Sequence, residues 1–163
     1  MLVSETFIVD VENALVQYAD MVYKIALSQT RSKFDADDVF QEVFMRLVKS
    51  KGKITSEEHL KAWLIRVAIN CSKNHFKMWS GEESLVDDIP GITQQEHEVL
   101  HYVMELPDKY RAVIHLFYYE ELSVKEMSKA LKIKESTIKS QLSRGRYMLR
   151  ERMKGDYQYD GAL

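Results

Sequence analysis

Residues 123–146 read SVKEMSKALKIKESTIKSQLSRGR, and the fold turns on this stretch. Ser123 and Glu126 stand three apart as a capping box, in which each side chain satisfies the other's backbone donor at a helix start. The short helix they open carries Met127, Ala130 and Leu131 on one face. Lys132-Ile133-Lys134 makes a brief turn, and Glu135-Ser136-Thr137 opens a long helix with Ile138, Leu142 and Leu149 on its inner side. The outer side shows Lys139, Ser140, Arg144 and Arg146. Two helices of this size with a tight turn put the second in a DNA major groove, its early residues at base edges. Small polar residues there permit close approach, and the later arginines suit phosphates. A plain helical hairpin is the alternative reading.

Upstream, the apolar pattern is helical throughout. Val11, Ala14, Leu15, Tyr18, Met21, Val22 and Ile25 recur at three- and four-residue steps and predict a helix over 10–30. Asp35-Ala36-Asp37-Asp38 opens a second, where acidic side chains face free N–H groups and the positive end of the dipole. Its apolar positions are Val39, Phe40, Val43, Phe44, Leu47 and Val48, and residues 50–53 break it. Thr55 or Ser56 opens a third helix, expected to reach Trp79, with core face Leu60, Leu64, Val67, Ala68 and Cys71. Residues 80–94, SGEESLVDDIPGITQ, read as a linker with four acids and no apolar period. Fully extended, they reach roughly 50 Å. Further helices are expected near 96–106 and 108–120, with Pro107 at a helix start, where its missing N–H costs nothing. The expected architecture is all-α, with two small helical domains. An N-terminal one of three to four helices covers 1–79, and a flexible acidic linker over 80–94 joins it to a helix-turn-helix domain over 95–154, followed by a tail over 155–163.

The 163 residues carry 23 Lys+Arg against 25 Asp+Glu, and the near-zero balance hides segregation. Residues 61–80 hold four basic and no acidic groups, 81–121 two and ten, and 122–154 ten and three. An anionic partner feels those basic blocks within a Debye length of ~8–10 Å, whatever the net charge. Six glycines argue against a β-rich fold, and one cysteine excludes an internal disulfide framework and suits a reducing cytosol. No apolar run approaches the ~20 residues of a membrane span, and the N-terminus does not read as a signal peptide.

At about 100° per residue, Arg66, Asn70, Lys73 and Lys77 fall on one line of the third helix, away from its core face. Cations and an amide donor at this spacing suit a phosphate backbone or exposed base edges. Trp63 borders the stripe, where it could stack on an unpaired base or serve as a core residue with a wet edge. His97-Glu98-Val99-Leu100-His101 matches the H-E-x-x-H zinc signature. Catalysis would need a third protein ligand, and the only later histidine, His115, lies in the apolar run 113–117. The motif is therefore expected to be a surface histidine pair on a short helix, with no metal site and no cofactor.

Three motifs in order carry a family resemblance over residues 8–154. Asp35-Ala36-Asp37-Asp38-Val39-Phe40-Gln41-Glu42-Val43-Phe44 is similar to "D-A-x-D-x-x-Q-E-x-F". The run from Ala62-Trp63-Leu64 through Arg66 to Asn70 is similar to "A-W-L-x-R-I-A-x-N". Leu106-Pro107, with residues 137–146, is similar to "L-P…T-V-K-S-R-L-x-R-A-R". The chain thus resembles the extracytoplasmic-function subgroup of the sigma-70 family, bacterial RNA polymerase initiation factors.

The resemblance implies a cytoplasmic protein that binds core RNA polymerase and directs promoter recognition, DNA opening and initiation. Asp37, Asp38, Gln41, Glu42 and Met45 would dock on the β′ clamp helices, and the β flap would be a second polymerase contact. Lys53, in the loop 50–58, would act with Trp63, Arg66, Asn70, Lys73, Asn74 and Lys77 to open and read the −10 element. Glu135, Ser136, Thr137, Lys139, Ser140, Gln141, Arg144 and Arg146 would read the −35 element as duplex. Promoter DNA and, as for many relatives, an anti-sigma factor are the other implied partners, with no membrane insertion. Elements about 17 base pairs apart, at about 3.4 Å per pair, lie roughly 60 Å apart, a span that suits two tethered modules. Lys132 stands where the family usually has Gly, Gln141 for a frequent Arg, Asn74 for Asp and Gly145 for Ala. A helix-turn-helix regulator acting on duplex DNA alone is the other reading, but it has no need of residues 35–44 and 63–77.

Overall fold

The computed structural model describes residues 6–75 and 94–157. Seven α-helices follow in order among the described residues: α1 Val11–Thr30, α2 Lys33–Ser50, α3 Glu57–Ser72, α4 Gln94–Met104, α5 Asp108–Tyr118, α6 Val124–Leu131 and α7 Glu135–Tyr157. Among the described residues there is no strand, as expected of an all-α chain.

Local chemistry sets the helix ends. Asp10 caps α1 by accepting from the Asn13 N–H at 3.2 Å. Arg31 closes it in the left-handed conformation (φ 56°), its N–H bonded to the Leu27 carbonyl. Ser32, not Asp35, caps α2, so the helix begins two residues before the acidic run and Asp35 sits buried in its first turn. A 3₁₀ turn, Lys51–Lys53, follows α2, and Ile54 plugs it into the core at 2% exposure. Ser56 caps α3. That helix ends at Ser72, seven residues short of the expected Trp79, and Lys73 and Asn74 lie in a turn. The Ser72 hydroxyl there bonds back to the Ala68 carbonyl at 2.6 Å. The capping box of α6 forms as read, with Glu126 N–H to Ser123 Oγ and Ser123 N–H to Glu126 Oε1 both at 3.1 Å. Lys132 ends α6 at φ 57°. A residue with a Cβ pays about 1–2 kcal/mol there, a cost that glycine avoids.

The two halves pack on one another. α1, α2 and α3 pack on one another, as do α5, α6 and α7, but α1 also packs on α5 and α3 on α6. One continuous apolar core runs from Val22, Ile25 and Leu64 to Val113, Met127, Ile138 and Leu142. Ile65 and Ile69, outside the expected core face, are buried. Ile65 lines a groove with Leu122 and Ala130, and Ile69 shares a cleft with Val113, Leu131 and Ile133. The two halves thus meet in a closed arrangement. Residues 80–93 of the expected linker lie outside the described residues.

Arginines seal the junction. The Arg111 side chain, 0% exposed, donates from Nε to the Ser28 carbonyl (2.7 Å) and from Nη2 to Gln29 O (3.2 Å) and Asp108 Oδ1 (2.6 Å). Its Nη1 takes the Leu106 carbonyl. Ser28 and Gln29 belong to the last turn of α1, whose carbonyls lack intrahelical partners and form the negative dipole end. Reciprocally, Arg31 Nη1 donates to the Met104 carbonyl at the end of α4 (3.2 Å).

Candidate nucleic-acid and partner interfaces

Three surfaces carry the chemistry. The first is the outer stripe of α2. Asp37, Asp38 and Gln41 are exposed, and Met45 stands 62% exposed beside them. Phe34 (73%) and Val48 (52%) extend the same side. The motif reading missed both, although their steps from Asp38 and Met45 are helical and a large exposed apolar stripe usually has a partner. Glu42 is half-buried and engaged by Arg46 at 2.6 Å, so its carboxylate is less available than those of Asp37 and Asp38.

The second surface is α3 with the loop before it. Lys51, Gly52 and Lys53 are exposed above the Ile54 plug. His59 Nδ1 accepts the Thr55 N–H (3.2 Å), and the Tyr18 hydroxyl donates to Glu57 Oε1 (2.7 Å), tying the loop's far end to α1. Burial, with the Glu57 carboxylate beside it, pushes the Tyr18 phenol up. Trp63 packs partly buried against the core, a core residue with a wet edge. Arg66 is half-buried, while Asn70, Lys73 and Asn74 are exposed. Arg66, Asn70 and Lys73 wall a cleft of about 460 Å³ together with Lys109, Lys132 and Gln141 from the other half. Four cations thus face one acid there, Asp108. Lys73 belongs to the turn rather than to a continuing helix, and Lys77 lies outside the described residues. His75 Nδ1 sits 3.3 Å from Asp35 Oδ1, fastening the end of this segment to the start of α2.

The third surface is α7. Glu135, Ser136, Thr137, Lys139, Ser140 and Arg144 are exposed, and Ser143, Tyr147 and Arg150 share their face. Arg144 lies over the Tyr147 ring, 5.3 Å from its centroid. Gln141 turns half-buried toward the cleft. Arg146 points at α5, donating from Nε to the Tyr118 hydroxyl (2.7 Å) and lying over the Phe117 ring. It sits at the border of the apolar side, one residue past Gly145, where α7 comes close enough to Ile114 for α5 to capture it. Behind the cationic face, Val99, Val103, Ile114, Tyr118, Leu149 and Met153 line an open apolar groove.

Of the zinc-like motif, His101 pairs with Glu105 at 3.7 Å, and Glu105 also takes Arg152. His115 is buried, 3.3 Å from Glu120. The His97 side chain lies outside the described part.

Comparison with known proteins matches residues 15–79 to sigma-70 region 2 and residues 96–149 to sigma-70 region 4. The ECF RNA polymerase sigma factor SigM of Bacillus subtilis is 35% identical over 147 residues, covering 82% of this chain and 88% of the relative. The chain belongs to the sigma-70 family, in its ECF group. It is an RNA polymerase sigma factor, a non-enzymatic initiation factor. SigW of the same organism is 24% identical over 159 residues, covering 84% of this sigma factor and 85% of SigW. Its fold matches CnrH, solved with the cytosolic domain of CnrY (TM-score 0.71, 18% identity, 90% of this chain, 88% of that one). It also matches the sigma factor RpoE, solved with the anti-sigma factor NepR, from Bartonella quintana (TM-score 0.69, 20% identity, 88% and 96%). No helix among the described residues of this sigma factor is long and apolar enough to cross a membrane.

Proposed function

We propose that this sigma factor docks on the β′ clamp helices of core polymerase through the outer stripe of α2. Phe34, Met45 and Val48 supply apolar contact there, and Asp37, Asp38 and Gln41 supply polar register. The loop with Lys53, then Trp63, Arg66, Asn70, Lys73, Asn74 and Lys77, opens and reads the −10 element. Glu135, Ser136, Thr137, Lys139, Ser140 and Arg144 read the −35 element as duplex. On this reading 1–79 and 95–154 act as separate units, with 80–94 spanning between them, and the work is done in the cytoplasm. The β flap fits the apolar groove behind α7, and an anti-sigma factor of the kind solved with RpoE is a partner class for this chain.

What supports this reading over a helix-turn-helix regulator acting alone is the coexistence of two unlike surfaces. A duplex-binding regulator needs the cationic face of α7, and it has no use for an exposed acidic and apolar stripe on a separate helix. Run-off transcription with purified core polymerase and a genomic promoter library tests it. Transcripts that require both core enzyme and this chain are expected. Promoter binding by the chain alone, without any transcript when core is added, would leave the solitary regulator standing.

A further inference from the structure

We propose that the DNA-contacting face of α7 continues beyond its first two turns to Tyr147 and Arg150, which grip backbone phosphates of the duplex flanking the −35 element. This rests on the assignment of α7 as the −35 reader and extends it to residues that no motif singles out. Five of the six cations of α7, all but Lys154, sort into two sets. Arg146 and Arg152 face the body of the protein and are engaged, by Tyr118 and by Glu105. Lys139, Arg144 and Arg150 stand exposed on one shallow face with Ser143 and Tyr147, Arg150 also edging the apolar groove behind it, and among the described residues none of the three is paired with an acid.

Helical geometry places these groups relative to a groove. At about 100° per residue, Lys139, Ser143 and Arg150 fall within about 40° of one another along the edge of the exposed face, beside Arg146, which α5 captures. The eleven steps from Lys139 to Arg150 rise roughly 16 Å, whereas the major groove is about 12 Å wide. With Lys139 and Ser143 inside the groove, Arg150 reaches its wall, where phosphate oxygens stand and base edges do not. A guanidinium there donates to phosphate whatever the sequence. Tyr147 lies between, 47% exposed, its hydroxyl a donor toward the same strand and its ring a platform for Arg144. Glu151 borders the face beyond Tyr147 and marks where it stops favouring an anion.

The test uses holoenzyme, core polymerase with the full-length chain, on promoter fragments, with affinity measured against salt for wild type, Arg150→Ala, Tyr147→Phe and Lys139→Ala. Arg150→Ala should weaken binding about fivefold to tenfold at 0.1 M salt and flatten the salt slope by about one. The loss should be equal for strong and weak −35 sequences, and Tyr147→Phe should lose about twofold to threefold. Arg150→Ala with affinity and slope unchanged, alongside a Lys139→Ala defect, would end the face at the second turn and leave the −35 assignment intact. Wild-type binding unaffected by both substitutions would sink the assignment of α7 itself. A change in −35 sequence preference on Arg150→Ala would replace the phosphate contact with a base contact and overturn the proposal.

Discussion

The Arg111 guanidinium, wholly buried, donates to the Ser28 carbonyl at 2.7 Å and thereby joins the two halves of the chain through the end of α1. Burial and the neighbouring Arg31 charge pull its pKa down, while Asp108 pulls it back up. Replacing it with Met strips donors from the carbonyls of Ser28, Gln29 and Leu106. We expect Arg111→Met to cost about 2–4 kcal/mol in urea unfolding and to raise the radius of gyration in small-angle scattering. An unchanged radius would mean that the apolar burial of Ile65 and Ile69 closes the molecule unaided.

On α2, Phe34 and Asp38 are exposed, so substituting them should leave stability within about 0.5 kcal/mol of wild type. Phe34→Ser and Asp38→Arg should each weaken capture by core polymerase at least about tenfold, as expected for loss of a central apolar anchor or insertion of a repulsive charge. Titration of labelled protein with core enzyme measures this. Full affinity in both variants would move the docking surface elsewhere.

Gly145 is set against α5. A Cβ built there meets Ile114 Cγ1 at 3.0 Å and Cδ1 at 3.2 Å. Alanine at a helix interior ordinarily gains about 1 kcal/mol over glycine. Here Gly145→Ala should gain nothing or destabilise, whereas in an Ile114→Ala background the full gain should return. A double-mutant cycle on unfolding free energies should give a coupling of about 1 kcal/mol or more. Additive effects would show that Ile114 yields freely.

The Ser123 N–H, and then its hydroxyl partnership, hold the Glu126 carboxyl below its usual range, with Lys61 and Lys129 adding to the same direction. A depressed folded pKa means that stability is present above the ordinary glutamate value and lost as pH falls through the folded one. Glu126→Gln should therefore be less stable than wild type at neutral pH, with the gap closing on acidification below the glutamate range. Urea midpoints of the pair across pH 3–7 read it, and a gap constant with pH would assign the effect to the amide's geometry instead of the charge.

The features legible in the sequence were those fixed by neighbours along the chain. The Ser123–Glu126 box and the faces of α1 and α2 depend on residues within one or two turns. The end of α3 was not legible, because Lys73 and Lys77 continue the periodicity past Ser72, where the helix stops. Arg146 could be read as a cation, but its direction depends on Tyr118, 28 residues away. The contact between halves left one usable sign. Ile65 and Ile69 widen the apolar arc of α3 well beyond Leu60 and Leu64, more than a helix covered from one side requires. At Lys132 the family pattern correctly foretold a backbone that suits glycine, and the chain adopts φ 57° there regardless.

Since Ile69 and Val113 wall a single cleft, the proposed two-element reading would link the free subunit to the promoter through the proportion of molecules whose halves have parted. Its apparent affinity for a site roughly 60 Å long is the intrinsic affinity scaled by that proportion. A closing free energy of only about 2.7 kcal/mol reduces it to roughly one molecule in a hundred. Core enzyme holding α2 and the groove behind α7 at separate anchor points, as proposed above, would remove the handicap, and promoters would then answer to the assembled machine and ignore the solitary subunit.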